Sequence, residues 1–319
     1  MLTLRVRSVT HEAEGILSFE LVDPRGGELP AFDAGAHVDV HVPGGLTRRY
    51  SLCDPPWERD HYRIAVLGVA QGRGGSRAMH ARVHAGDLIE VSEPHNFFPL
   101  APKARHSILL AGGIGITPIM AMVEQIRRAE QSFELHYCAQ TPERTAFTRR
   151  FAADIETGRA RMHHDDGDHR KSLDIAGLLA RPAEGTHLYF CGPSGFMSAA
   201  RAASEHWLPS SVHFEYFGVD PSPSVAATDI NGSSDSEVVL ERSHLTIRVE
   251  PAQSILQAVR QAGVACESSC EAGMCGTCRV RYVGGVPEHN DLVLSEDERR
   301  EFVLICCAKV AQGPLVLDL

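Results

Sequence analysis

From Leu2 to about Pro102, short runs of branched aliphatic residues alternate with polar ones, as in LTLRVRSV, AHVDVHV and YRIAVLGV, and Gly, Pro and Asp punctuate them. That period of two predicts short strands in a small antiparallel barrel or sandwich. At Ser107 the texture changes. SILLAG reads as a buried strand, and after a Gly-rich turn the apolar positions of ITPIMAMVEQIRRAEQ recur at helical spacing. FELHYCAQ, RARMHHDD and HLYFCGP repeat the theme, each a strand candidate followed by a stretch with helical potential. Such alternation predicts an open, parallel α/β sheet. Next comes VDPSPSVAATDINGSSDSE, poor in large apolar side chains and read as a linker. Beyond it, VVLERSHLTIRVEP reads as two strands, SILQAVRQAG as a short helix, and TCRVRYVGG and LVLDL as later strands of a small mixed α/β unit. The expected division is therefore 1–104, 105–219, a linker at 220–236, and 237–319. No repeat relates the three parts.

Composition supports an ordinary soluble chain. Its 319 residues suggest roughly two domains by length alone, so the three textures add one. Charged residues make up 23% and the AVILMFWYC group 43%, which excludes a disordered, collagenous or coiled-coil chain. A formal charge of -10 argues against a broad nucleic-acid surface and favours a basic docking partner. The first residues carry no apolar signal core, and no stretch reaches a membrane-spanning length, so a cytoplasmic protein without membrane partners is expected.

Nine cysteines sharpen the picture, because six of them fall between Cys266 and Cys307. Cys270, Cys275 and Cys278 form a Cys-x4-Cys-x2-Cys array, and a further pair, Cys306 and Cys307, follows at the spacing of a plant-type 2Fe-2S ferredoxin. Thiolates suit iron, and Gly273 and Gly276 let a short loop turn around a cluster. Spacing tolerates either Cys306 or Cys307 as the fourth ligand, and four thiolates would also suit structural zinc.

Other motifs are weaker one by one. Arg48, Tyr50 and Ser51 in RRYSL, with Gly72, Arg73, Gly74, Gly75 and Ser76 in GRGGS, could hold a flavin and its phosphate, or be a sheet edge and a solvated loop. Leu67 lies either near a flavin edge or in ordinary strand packing. In AGGIGITPI, Gly112, Gly113 and Gly115 would admit a nucleotide backbone, with Thr117 capping the following helix and contacting phosphate. This differs from the GxGxxG fingerprint. Cys191, Gly192 and Pro193 either border a nicotinamide or end a buried strand. HHDDGD, His163 to Asp168, reads as a solvated loop without a catalytic role, and Arg144 as a loop arginine that could approach a 2′-phosphate or be simply solvated.

Taken in order, RRYSL, GRGGS, AGGIGITP, YFCGPSGFM, HFEYFG and CEAGMCGTC resemble the phthalate dioxygenase reductase family over essentially the whole chain, most closely its vanillate O-demethylase reductase-like branch. The resemblance implies a flavin-binding antiparallel β-barrel, a parallel α/β NAD domain and a C-terminal β-grasp ferredoxin domain. It further implies FMN at Arg48, Tyr50, Ser51 and Gly72–Ser76, NADH at Gly112, Gly113, Gly115, Thr117 and Cys191–Pro193, and Phe217 beside the flavin where nicotinamide stacks. It favours Cys306 over Cys307. The implied path runs from NADH through FMN and the cluster to a separate Rieske-type oxygenase, with no side chain acting as general acid or base. Vanillate or another aromatic methyl ether is the first expectation for that partner's substrate. A phthalate-like dioxygenase system and a non-enzymatic flavin and iron-sulfur redox sensor are the alternatives.

Overall fold

The computed structural model describes residues 1–69, 74–217 and, from 236 onward, all but 252, 267, 269–272, 274–275, 277 and 292–293. The chain forms two compact units, Met1–Phe217 and Gly218–Leu319.

The first unit carries two sheets. Strands β1 (Leu2–Ala13), β2 (Ile16–Val22), β3 (His37–Val42), β4 (Leu46–Ser51), β5 (Tyr62–Leu67) and β6 (Leu88–Val91) pair antiparallel in the order β4-β3-β6-β1-β2-β5. Past the end of β4, the Cys53 N–H donates to the Arg63 carbonyl of β5 at 2.9 Å and draws the two edges of the sheet together. Alternation sends Val38, Val40, Phe19, Leu21 and Ile64 into one core. Helix α1 (Gly75–Arg82) adds Met79 to it, and the turn at Gly86 and Asp87 bonds back to Val6 as it enters β6.

The second sheet is wholly parallel, in the order β11-β10-β7-β8-β9. Its elements are β7 (His106–Gly112), α2 (Ile116–Arg128), β8 (Ser132–Ala139), α3 (Ala152–Glu156), β9 (Ala160–His164), α4 (Ile175–Leu179), β10 (Thr186–Cys191), α5 (Ser194–Ala203) and β11 (Val212–Glu215). Strand order reverses between β7 and β10, which is where open sheets of this type receive ligands. The connections around β9 depart from regular helices. After β8 the chain makes two 3-10 turns before the five-residue α3, with Phe147 at φ 60. TPERTAFTRRF lacks the sustained apolar stripe that a longer helix would bury. Ala13, Ile16, Ala34, Cys53 and Ala65 of the antiparallel sheet share a core with Leu109, Ile119 and Tyr137, so the two sheets pack as one body.

In the second unit, β12 (Ser236–Leu240), β13 (Leu245–Val249), α6 (Ile255–Gln261), β14 (Arg279–Glu288), β15 (Phe302–Leu304) and β16 (Lys309–Leu317) form a mixed sheet ordered β13-β12-β16-β14-β15. Strands β12 and β16 run parallel and the other pairs antiparallel. A capping box starts α6: Ser254 Oγ accepts from the Gln257 N–H and Gln257 Oε1 from the Ser254 N–H. The expected linker at 220–236 lies outside the described residues up to 235, whereas Ser236 already pairs with Val249 in the sheet.

Candidate functional site

Strand β4 presents the RRYS residues on two faces, because side chains alternate along a strand. Arg48 pairs in register with Val40 and Tyr50 with Val38, on the side of the barrel core, and burial pushes the Tyr50 phenol up to about 12. The Arg48 guanidinium stem lies over Gly75: a Cβ there would meet Arg48 Cγ and Nε at 2.6 Å. Gly75 opens α1, whose N-cap Gly74 has φ 88 and supplies no side-chain cap. An uncapped helix start beside an arginine is chemistry that fits a phosphate. Ser76 turns inward to accept from the Val69 N–H at 3.1 Å. Gly72 and Arg73 lie outside the described residues. Leu67 ends β5, paired with Ile16 and partly exposed.

On the other face, Ser51 sits in register with His37. Both meet Glu215, the last residue of β11: Ser51 Oγ donates to Glu215 Oε2 at 3.3 Å, and His37 Nδ1 lies 3.7 Å from Oε1. The first sheet is thereby joined to the edge of the second. His37 is fully buried with no hydrogen-bond partner on either ring nitrogen among the described residues, and burial, helped by the Arg49 charge, pulls its pKa down to about 3. Unpaired buried polar atoms recur elsewhere among the described residues, and here they leave ring nitrogens that a bound group could meet. Cys191, also fully buried, has its thiol pushed well up by burial and by the Glu215 charge. It is therefore no nucleophile.

The glycine turn after β7 divides its glycines by task. A Cβ on Gly115 would stand 2.1 Å from the Cys191 carbonyl oxygen, and one on Gly112 would meet Pro193 Cδ at 2.8 Å and Gly192 Cα at 3.2 Å. These two let the ends of β7 and β10 pack backbone to backbone. Gly113 has φ 52 and nothing within 4 Å of its Cβ position, so it is the glycine that leaves room for a ligand. Thr117 does not cap the helix as expected. The N-cap is Gly115, and Thr117, one position inside α2, is buried with its hydroxyl donating to the Ile114 carbonyl at 3.0 Å. Phe217 packs partly buried against the shared core.

In the second unit the Cys278 and Cys306 side chains are buried together, and the Gly273 N–H donates to Cys306 Sγ at 3.2 Å. Hydrogen bonds from Cys278 and Cys307, with that amide, hold the Cys306 thiol well below its ordinary range against the effect of burial. The Cys307 thiol itself donates to the Leu304 carbonyl. Gly273 has φ 73, and a Cβ on it would lie 2.6 Å from Cys307 Sγ. Soft buried sulfurs met by backbone amides suit a cluster that carries negative charge. Cys270 and Cys275 lie outside the described residues.

Sequence reasoning missed Glu215 and His37. HFEY announced aromatics, and AHVDVHV announced a strand; only the register of β3 against β4 and the packing of β11 bring the two together. It also passed over Asp54. That buried carboxylate takes His61 Nε2 at 2.7 Å, Arg63 Nε at 2.8 Å and Arg150 Nη2 at 2.5 Å. Asp54, Glu58 and His61 converge closely enough to share an ion, yet two arginines already neutralise the group, so it is a strut between the sheets. The HHDDGD run is half strand and half turn. His163 meets His136 at 3.1 Å, His164 meets Thr145 Oγ1 at 2.9 Å, and the turn follows with Asp166 at φ 52.

The 2Fe-2S iron-sulfur cluster binding domain family matches residues 238–311. Over the whole chain the protein is 44% identical to the tert-butanol monooxygenase / tert-amyl alcohol desaturase reductase subunit of Aquincola tertiaricarbonis, covering 96% of it. It is 41% identical to the vanillate O-demethylase oxidoreductase of Pseudomonas sp. strain HR199 / DSM 7063, covering all of both chains. Among solved structures, a phthalate dioxygenase reductase described as a modular structure for electron transfer from pyridine nucleotides to 2Fe-2S matches with a TM-score of 0.77 and 39% identity, over 100% of this chain and 98% of that one. Full-length matches at this identity, together with the cysteine array and the paired sheets, establish that the chain belongs to the phthalate dioxygenase reductase and vanillate demethylase reductase family, as an NADH-dependent oxidoreductase using flavin and a 2Fe-2S cluster.

Proposed function

We propose that the chain is the reductase component of a Rieske-type oxygenase system, with residues 1–104 binding FMN, 105–219 binding NADH and 237–319 carrying the cluster, joined to the rest by 220–236. The observation that carries this reading is the Ser51–Glu215 hydrogen bond, made across 164 positions of sequence. It brings the edge of the antiparallel sheet to the strand ends beside Gly112–Gly115 and Cys191–Pro193, so that a flavin and a nicotinamide held by these residues would share one wall. FMN when bound supplies the exchange between hydride chemistry and one-electron acceptance that NADH and iron-sulfur require of each other. The residues of the chain hold and orient. Arg48 and the start of α1, with Gly72, Arg73, Gly74, Gly75 and Ser76, would take the phosphate; Tyr50, Leu67 and Phe217 would pack on flat rings; Ser51, His37 and Glu215 would present polar atoms to the reacting edge. Cys270, Cys275, Cys278 and Cys306 would hold the cluster, a choice supported by the Cys278–Cys306 proximity and the Gly273 amide. No acid or base is assigned, since orientation governs the transfers.

For the oxygenase substrate, the relatives' names span a tertiary alcohol, vanillate and phthalate. They support the broader reading, a reductase serving a phthalate-like aromatic dioxygenase, over commitment to methyl ether demethylation. We assign the protein to the cytoplasm, a reading supported by the clustering of six cysteines at cluster-ligand spacing between Cys266 and Cys307. No helix among the described residues is long and apolar enough to cross a membrane.

The test is anaerobic absorption and electron paramagnetic resonance spectroscopy before and after NADH, with iron, sulfide and flavin measured on the same sample. Reduction of both centres is expected. Zinc without iron would sink the cluster assignment, and loaded centres that ignore NADH would favour a redox sensor.

A further inference from the structure

We propose that the Glu14–Arg144 ion pair is what makes this chain choose NADH over NADPH; the inference rests on the reading of Gly112–Gly115 as a dinucleotide turn. In open parallel sheets the adenosine ribose sits at the end of the strand following the glycine turn, where a carboxylate receives a 2′-hydroxyl or an arginine a 2′-phosphate. In this chain that place is the end of β8 and the turn after it, Gln140 to Arg144, and Arg144 is the one cation the turn contains.

Arg144 is already engaged. Its Nη1 donates to Gln140 Oε1 at 2.7 Å and its Nη2 to Glu14 Oε1 at 2.9 Å. Glu14 comes from the tip of the β1–β2 hairpin, 130 positions away, and cannot easily retreat: its own N–H donates to the Glu143 carbonyl at 2.9 Å, and the next residue, Gly15, accepts from the Gly68 N–H. The following strand end adds negative charge. The Asp166 N–H donates to the Gln140 carbonyl at 2.8 Å, and the neighbouring Asp165 carboxylate is met by neutral donors, the Gly167 N–H and the Ser172 hydroxyl.

A ribose with two hydroxyls can donate to this acceptor-rich wall. A 2′-phosphate would have to take Arg144 from Glu14 and then lie beside the stranded carboxylate, with Asp165 across the turn. Such juxtaposition of like charges is how sites reject a close analogue.

Titration calorimetry with 5′-ADP and 2′,5′-ADP reads the selection directly, without flavin turnover. The native chain should prefer 5′-ADP, and Glu14→Gln should shift the ratio of the two affinities about two- to fivefold toward 2′,5′-ADP, the scale of one half-exposed ion pair. Adding Arg144→Ala to Glu14→Gln should cancel that shift. An unchanged ratio in Glu14→Gln, or a shift that survives Arg144→Ala, would overturn the proposal while leaving the dinucleotide site intact. Binding of neither nucleotide by the native chain would overturn the site reading itself, and the proposal with it.

Discussion

His61 and His37 stand on the same antiparallel sheet, each beside a buried carboxylate, and they have opposite fates. His61 is clamped between Asp54 and Asp60 at 2.7 and 2.9 Å, and its pKa is raised, first by the Asp54 bond. His37 lies 3.7 Å from Glu215, neither of its ring nitrogens is hydrogen-bonded among the described residues, and burial keeps it neutral. The two carboxylates link the same pair of sheets, Asp54 through Arg150 and Glu215 through Ser51. A network whose charges and donors are matched is a fastening. One that keeps polar atoms in reserve costs stability and is retained where something else must bind.

Breaking the fastening should give the largest effect. Asp54→Asn leaves Arg63 and Arg150 facing each other without their shared counter-charge, and about 3–5 kcal/mol of stability should be lost in a denaturant titration of the first unit. A loss below about 1 kcal/mol would mean that Asp54 is no strut. Next comes Gly115→Ala, whose methyl would stand 2.1 Å from the Cys191 carbonyl. It should cost roughly 1–3 kcal/mol by overpacking and weaken nucleotide binding, whereas Gly113→Ala should disturb the ligand more than the fold.

The histidines should respond to acid with opposite signs. His61 has a raised folded pKa, so its contribution is full below the unfolded value of 6.5 and fades as pH rises through the folded one. His37 is lowered to about 3, so acidification from 6.5 toward 3 protonates the unfolded chain first and stability falls. Unfolding midpoints across pH should therefore lose their acid-side slope in His37→Gln and their alkaline-side decline in His61→Gln; identical profiles for the two variants would dissolve the contrast. Asp54, which burial would raise but which His61, Arg150 and Arg63 hold at about 2, contributes fully above the unfolded value of 3.8 and loses that contribution as the pH falls from there through about 2. The smallest effect on folding should come from Ser51→Ala. Its stability should fall by about 1 kcal/mol, the scale of one hydrogen bond, while NADH-driven flavin reduction slows by about tenfold.

Chemistry carried by local spacing was legible early. The cysteine array, the Gly112–Gly115 turn and the Cys191–Pro193 strand end stood out in the sequence because ligand loops and tight turns need particular residues within a few positions of one another. RRYSL, read either as a flavin site or as a sheet edge, forms β4 at one end of the six-stranded order. Thr117 misled because a threonine after a glycine turn looks like a cap, yet the 3-10 turn over Gly113–Gly115 moves the helix start two residues earlier than that reading requires. Arg144 looked like a solvated loop cation because its partner, Glu14, belongs to another sheet.

By itself, then, the sequence determined the order of folding textures, the four-cysteine spacing, and the glycines without which backbone could not approach backbone, all being properties of short segments. Only the tertiary structure decided which polar groups meet: Ser51 with Glu215 and His37, Asp54 with Arg150, Glu14 with Arg144. Strand register and sheet packing choose such partners, and neither is written in any one stretch of the chain.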